Sequence, residues 1–566
     1  MSRRRSYWPA VGCAFVVALA VRVAVAVSDQ VPTADATAFL TSGDSLLAGQ
    51  GYARYGIVET SVAPLVPTML AALARLSGDP TRGFSAHHVL WGTVLVLPVA
   101  AIARAVGGPR AGWRAAWVVA LCPGLVVAAG IDGGGSELPA VVALASALAF
   151  VVSRQAVPDG WRAVAVGMAC GLAYLFRADA LPAALVVLAG LVVRLWRDHR
   201  AVAAGSSGVR AGPPRPRPAP RAVVGVLLAV TAAVAVATPW PAWVHAETGR
   251  WQLTGKASDT SLAGWEALAR HDRLERDALL YRLDDSGEIV RRQQQSLVAL
   301  VAEDPESFLA VQRANVTMLV DQTVRPDARW PAPVRLPPTW QLVPLPGLLL
   351  AGWVLWRRRR DQRVQLLAAV AATNVAVTLV FFVQDRYLAP SVAVACGLVG
   401  VGLADLPSPL LRRSVQAVLA ALAVLALAAG TAGPGGLLDR PEPTEQRAVG
   451  QVLARETGPD DKVMTRSMTV RYYLGRRTVP FPYGTAPQVI DYACRKGVDH
   501  VVVDDKVAEL RPSLAPWLGP GPWPRLRLEH ELTVDGRTAR VFAVRCPAPQ
   551  VLQAAGPAAG DGRSDR

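Results

Sequence analysis

Two kinds of residue in this sequence could do chemistry together. The first is a set of carboxylates in a polar stretch between two apolar segments: Asp35, Asp44 and Glu59, within PTADATAFLTSGDSLLAGQGYARYGIVETSVAPLVP. The second is a set of arginines at the ends of apolar runs, each beside a carboxylate: Arg177 with Asp179, and Arg386 with Asp385. Glu137 follows Ser136 at the mouth of a further apolar run, and Arg22 stands inside the first one. A positioned carboxylate can take the proton of a hydroxyl. The planar fork of arginine donates charge-assisted hydrogen bonds to phosphate oxygens. Ionisable residues at such edges are candidates for function, although each Arg–Asp pair could equally be self-contained or snorkel.

The elements that must position these residues are membrane helices. At 566 residues and 52% hydrophobic content, with many long apolar runs, the chain reads as a polytopic α-helical membrane protein rather than a soluble one. The runs lie near Tyr7–Val27, His88–Val106, Trp113–Ala129, Leu138–Val152, Arg162–Phe176, Leu181–Leu195, Val223–Trp243, Leu342–Trp356, Val364–Val383, Leu388–Leu403 and Val415–Gly430. That is about eleven spans within residues 1–433. The first run could be a cleaved leader ending at Ala24-Val25-Ala26, but Arg22 and the later spans favour a retained helix. A net charge of +16 would suggest nucleic acid in a soluble protein; here the arginines sit in short loops between spans and act as topology signals. They place the N-terminus inside, and an odd helix count places the tail from about residue 440 outside. The Pro- and Arg-rich insert Gly205–Arg221 is then a disordered inner loop able to touch anionic lipid headgroups.

This orientation puts the polar stretch (residues 28–86), the short loops holding Glu137, Arg177–Asp179 and Arg386, and a large loop (245–338) on one outer face. Several short motifs share that face. Asp35 is followed by Phe39, Leu46-Leu47, Gly49-x-Gly51-Tyr52 and Pro64-Leu65; Gly-Leu-Ala-Tyr-Leu-Phe-Arg ends at Arg177; Ser136-Glu137 opens a helix; Pro239-Trp240 precedes the large loop; Arg386-Tyr387-Leu388-x-Pro390 precedes a late helix. Their order and spacing resemble the GT-C superfamily of polyprenyl-phosphate-dependent glycosyltransferases, in particular its bacterial arabinosyl-, mannosyl- and galacturonosyltransferase-like branch. The resemblance covers nearly the whole chain. It implies a GT-C fold and transfer of a sugar from a polyprenyl-phosphate donor to a glycan, lipid or protein of the bacterial envelope, at the outer face of the plasma membrane. Asp35 is then the general base, inverting the anomeric carbon. Arg386, Arg177 and Arg22 bind the donor phosphate, and Asp44, Glu59, Glu137 and Asp179 are secondary acids on the acceptor side. The sequence departs from the pattern at Ala36, where a second acid is common, at Phe39 for Tyr, and at the single Pro64.

No nucleotide-binding loop is present, no cofactor is required by the sequence, and metal dependence stays open. His87, His88 and His245 could bind metal or phosphate but lack a ligand spacing. Cys13, Cys122, Cys170 and Cys396 lie in apolar runs and read as packing residues. Trp251, Trp265 and Trp330 of the large loop could stack on sugar or serve as anchors. Helical pattern in that loop covers Glu288–Ala302 and Pro305–Leu319. Residues 440–548 read as a small α/β domain, with a buried strand at His500–Asp504 and a closing hairpin from Leu526–Leu532 and Ala539–Val544; residues from about 549 read as disordered. Cys494 and Cys546 are the only cysteines of that domain, and an oxidising exterior predicts a disulfide between them. Two other readings fit the spans: a lipid-linked-sugar flippase, which predicts repeated halves the loops do not show, and a non-catalytic envelope assembly protein.

Overall fold

The computed structural model describes residues 7–26, 31–32, 34–128, 137–153, 159–205, 219–253, 273–290, 301–324, 343–381, 383, 385–432 and 443–547. The expectations for Ser136, Trp265, Trp330, most of the Gly205–Arg221 insert and the tail beyond 549 fall outside those residues.

Apolar runs become helices because only a helix satisfies every backbone donor and acceptor within one membrane segment. In chain order these are α1 (Tyr7–Ala26), α2 (Ala34–Leu47), α3 (Leu65–Ser77), α4 (Pro80–Val94), α5 (Val96–Gly107), α6 (Pro109–Leu121), α7 (Pro123–Ala128), α8 (Glu137–Val152) and α9 (Asp159–Phe176). They continue with α10 (Leu181–Gly205), α11 (Ala219–Ala237), α12 (Pro239–Thr248), α13 (Arg273–Tyr281), α14 (Pro305–Val324), α15 (Leu345–Arg357), α16 (Gln362–Phe381), α17 (Ala389–Asp405) and α18 (Pro409–Ala432). Six helical stretches of the described residues are long and apolar enough to cross a membrane, and the bent pair α11–α12 makes a seventh. The other apolar helices, such as α8 and α15, have only 16 and 13 residues. At about 1.5 Å per residue they fall short of a hydrocarbon core of roughly 30 Å, so the expected eleven full spans resolve into a mixture of full and shortened helices.

One large apolar core joins these helices except α12, α13 and α14, and small residues let some of them approach closely. A Cβ on Gly171 of α9 would meet Ala233 O of α11 at 2.7 Å, and one on Gly400 of α17 would meet Ala115 N of α6 at 2.6 Å. Such contacts substitute for the hydrophobic driving force that lipid removes. The run expected as one span over Val223–Trp243 bends by 43° between α11 and α12. Pro239 opens α12, and proline lacks the N–H that would continue the helix.

The tail forms the expected α/β domain. It contains α19 (Thr444–Glu456), β3 (Val463–Met464), α20 (Met468–Leu474), α21 (Ala486–Lys496), β4 (His500–Asp504), α22 (Asp505–Leu510), β5 (Leu526–Val534) and β6 (Arg537–Val544). Here β1 and β2 denote the two-residue strands Ala53–Arg54 and Ile57–Val58 of the 28–86 stretch. The tail sheet runs β3-β4-β6-β5, with β3 parallel to β4 and the rest antiparallel. Val501, Val503 and Phe542 are buried in its centre. Asp504 caps α22 by accepting the Val507 N–H at 2.7 Å, and burial pushes its carboxyl above the usual aspartate range. The expected disulfide is present: Cys494 and Cys546 are bonded, with Cα atoms 5.5 Å apart.

The domain touches both the 28–86 stretch and the 273–290 segment. Its α20 lies on α2, with Arg471 over the Tyr55 ring at 4.7 Å. The 273–290 segment, α13 and the hairpin after it, also docks on the domain: Tyr483 N donates to Tyr281 O at 2.7 Å, and Leu283 and Ile289 pack against its core. The helix expected from Glu288 does not begin there. Glu288 lies in a turn closed on Asp284, whose carboxylate accepts the N–H groups of Ser286 and Glu288 at 2.9 Å each. Most of that expected helix, residues 291–300, lies outside the described residues. Pro305–Leu319 is helical as expected, within α14.

Candidate active site

Five of the residues singled out in the sequence converge although they are scattered over 351 positions. Asp35 lies in the first turn of α2 and Glu137 is the first residue of α8. Helix N-termini carry partial positive charge, which suits carboxylates at both places. Arg177 directly follows α9 and precedes a short 3₁₀ turn at Ala178–Ala180 that contains Asp179. Arg386 sits in a second 3₁₀ turn, Asp385–Leu388, before α17. All four elements present these residues at one end of the helical bundle.

The geometry is that of a charged lattice. Arg177 forks onto Asp179, Nε to Oδ1 at 2.8 Å and Nη2 to Oδ2 at 2.6 Å, and its Nη1 meets Glu137 Oε1 at 2.5 Å. Arg386 Nε approaches the same Glu137 oxygen at 3.7 Å, and its Nη2 donates to Asp35 Oδ2 at 3.1 Å. Glu137 is therefore a shared anchor, with its side chain only 4% exposed, whereas Asp35 is 47% exposed. Removing either arginine would leave the buried Glu137 carboxylate undercompensated, which costs several kcal/mol on the order of 3–5.

Tyr387, to which the sequence alone gives no role, lies against both cations. The Arg177 and Arg386 guanidinium carbons lie 4.8 and 5.1 Å from its ring centroid, and Arg386 Nη2 is 3.3 Å from its hydroxyl. Behind it, Asn374 of α16 donates to Tyr387 O at 3.0 Å, and Ser391 donates to Asn374 Oδ1 at 2.7 Å. The signal for Asn374 is visible in the sequence as an amide in the middle of an apolar run, but nothing in its surroundings names its partner.

The remaining candidates lie apart. Arg22 is fully buried within the bundle, and its guanidinium donates to Ala18 O, Ala120 O and Val119 O, each at 3.2 Å. It ties α1 to the carbonyl end of α6, where a cation is favoured. Asp44 pairs on the surface with Arg75 of α3 at 2.9 Å. Glu59 is buried against Arg54 at 3.1 Å and accepts the Ser61 N–H at 2.8 Å, holding the β1–β2 loop. His87 and His88 are buried in α4 among Phe84, Trp91 and each other, and His245 stacks on Trp251 at 4.3 Å. Among the described residues no group of three or more His, Cys, Asp or Glu is placed to hold a metal ion.

A bundle of full and shortened apolar helices with a small C-terminal α/β domain matches the GT-C class of membrane fold. Solved structures carry the same fold. ArnT from Cupriavidus metallidurans bound to undecaprenyl phosphate superposes with a TM-score of 0.56 at 14% identity, covering 94% of this chain and 97% of that one. Its apo state gives 0.54 at 14% identity over the same shares. The Archaeoglobus fulgidus oligosaccharyltransferase tethered with an acceptor peptide gives 0.51 at 13% identity, covering 89% of this chain and 70% of that one. No protein-family model matches the chain, and no curated protein matches its sequence.

Proposed function

We propose that this multi-pass membrane protein is an inverting glycosyltransferase that moves a sugar from a polyprenyl-phosphate donor to a glycan, lipid or protein acceptor of the cell envelope, outside the plasma membrane. The observation that carries this reading is the Asp35–Arg386–Glu137–Arg177 lattice, in which an exposed carboxylate stands 3.1 Å from one of two arginines buttressed by a buried glutamate. The solved ArnT structure, of the same fold, binds undecaprenyl phosphate, which suits this donor class.

The roles follow from charge and reach. Arg386 and Arg177 bind the donor phosphate; Glu137, Asp179 and Tyr387 orient the two forks. A phosphate competes with Asp35 for Arg386, so donor binding releases the Asp35 carboxylate toward the acceptor. The acceptor hydroxyl oxygen then bonds to the anomeric carbon while its proton passes to Asp35. The anomeric carbon–oxygen bond to phosphate breaks, and its electron pair leaves with the polyprenyl phosphate. The arginines stabilise the charge developing there, as preorganised donors do elsewhere.

The test is incubation of the purified protein with radiolabelled polyprenyl-phosphate sugars and envelope acceptors. Transfer is expected, and Asp35→Asn should lower it by roughly 10²- to 10⁴-fold, the usual range for general base catalysis, with donor binding retained. Donor translocation across vesicles without transfer would instead identify a flippase. Full activity of Asp35→Asn would overturn the assignment of the base.

A further inference from the structure

We infer that the protein carries a second lipid site at the opposite end of the bundle, which holds an anionic phospholipid of the inner leaflet. A cavity of about 400 Å³ opens between α6, α15, α17 and α18. Its walls are apolar, with Trp117 and Leu121 on one side and Leu403, Leu419 and Ala420 on the other. This volume lies within the roughly 300–1,000 Å³ common for small-ligand sites. Arg114 and Gln416 bring polar side chains to it.

Arg114 gives the site its charge. It is 7% exposed, its Nη1 donates to Leu403 O at 3.1 Å, and its guanidinium lies 5.0 Å from the Trp113 ring. Its Nε has no hydrogen-bond partner. Arg110 and Arg412 are near enough to repel it electrostatically. Two of the neighbouring cations at this end are neutralised: Arg358 pairs with Asp405 at 2.7 Å and Arg363 with Asp361 at 2.9 Å. Among the described residues, Arg110, Arg114 and Arg412 have no such carboxylate. One buried cation in the lining with an unsatisfied donor, and two more placed one helical turn before the lining residues Arg114 and Gln416 on α6 and α18, complement a phosphate carrying a hydrocarbon chain.

The position selects the lipid. Arg114 binds the carbonyl of Leu403 near the last turn of α17, whereas Arg386 precedes the first turn of the same helix. The 17 positions from Arg386 to Leu403 separate the two ends by roughly 25 Å at about 1.5 Å per residue. The donor phosphate of the proposed reaction therefore belongs to the other face. Clustered arginine loops mark the cytoplasmic side, where anionic phospholipid is the available phosphate. The site does not depend on the transferase reading.

The experiment is native mass spectrometry of the full chain in detergent, titrated separately with phosphatidylglycerol, phosphatidylcholine of matched chains, and polyprenyl phosphate. One phosphatidylglycerol should bind at least tenfold more tightly than phosphatidylcholine. Arg114→Gln and, independently, the exposed Arg110→Gln should each reduce that preference severalfold or more. Ala420→Phe, which fills the groove and leaves the arginines in place, should abolish retention of either phospholipid. Arg110→Gln and Ala420→Phe keep the test decisive should Arg114→Gln not fold. Equal binding of the two phospholipids, wild-type preference in both of those variants, or polyprenyl phosphate displacing phosphatidylglycerol from this groove would each overturn the site.

Discussion

Tyr387 shows how much a single aromatic ring can organise. Two guanidiniums within about 5 Å of one ring would repel each other without compensation, and the ring face, Glu137, Asp35 and Asp179 supply it. Cation–π contacts are worth roughly 0.5–2 kcal/mol each. Tyr387→Leu should therefore weaken donor binding by about 10- to 100-fold, measured by titration of a polyprenyl-phosphate sugar. Tyr387→Phe keeps the ring and loses only the 3.3 Å contact with Arg386, so it should lose less than about fivefold. Equal losses in the two variants would move the role from ring to hydroxyl. At this scale the sequence showed residue types and their common face, not their partners. Asp35, Asp44 and Glu59 look alike in one polar stretch, yet only Asp35 meets the arginine lattice. Arg75 takes Asp44 and Arg54 takes Glu59, because the fold of that stretch, which a string of residues does not display, sets which cation each acid can reach. Arg22 shows the same limit: its unusual place in an apolar run is legible, but the α6 carbonyls it serves lie 97 and 98 positions away.

Helices were the most legible element, since a run of apolar residues leaves the backbone few alternatives in lipid. Their ends fall within a few residues of the runs at α1, α8, α9, α16 and α17. Interruptions were harder to read. The α4–α5 and α6–α7 breaks and the 43° bend before α12 interrupt runs whose hydropathy barely changes. Close approach is equally hidden, because a glycine in a high-glycine chain carries no mark of its neighbour. Gly171 illustrates it: Ala233 O of α11 stands 2.7 Å from where a Cβ would be, and a backbone carbonyl cannot rotate away as a side chain can. Gly171→Leu should push α9 and α11 apart and destabilise the protein by at least the roughly 1–3 kcal/mol of an overpacked core. Because α9 ends on Arg177, donor binding should fall with it. Gly352→Leu is the control, since nothing lies within 4 Å of its Cβ position. Thermal unfolding in detergent distinguishes the two, and equal stability of both variants would refute the close-packing account.

At the scale of the whole molecule, a buried ionic joint ties the tail domain to the 273–290 segment. Asp277 of α13 is only 2% exposed and receives Arg466 Nε and Nη2 at 3.0 and 2.6 Å. Arg511, which is 1% exposed and donates to Phe481 O and Pro482 O at 3.0 and 2.8 Å, also meets the Asp277 carboxylate at 2.5 Å. One carboxylate thus serves two arginines of the tail domain. Further along the same segment, Arg495 donates to Gly287 O at 2.6 Å and Lys496 pairs with Glu288 at 2.5 Å, beside the disulfide at Cys494. The domain itself was readable as strands and helices, and its two cysteines as a pair. The joint was not, because Asp277 lies 189 positions before Arg466. Burial makes the joint asymmetric in energy: removing Asp277 leaves two cations facing each other with little solvent, at a cost on the order of 3–5 kcal/mol, whereas replacing the whole set with apolar groups can be neutral. Asp277→Ala should therefore release the 273–290 segment from the tail domain, read as faster amide exchange at Tyr281, Leu283 and Ile289 while β4 and β6 stay protected. Adding Arg466→Met and Arg511→Met to Asp277→Leu should restore most of that protection. Unchanged exchange in Asp277→Ala would show that the hairpin contacts alone hold the segment; loss of protection across β4 and β6 would show that the joint supports the domain's own fold rather than its docking.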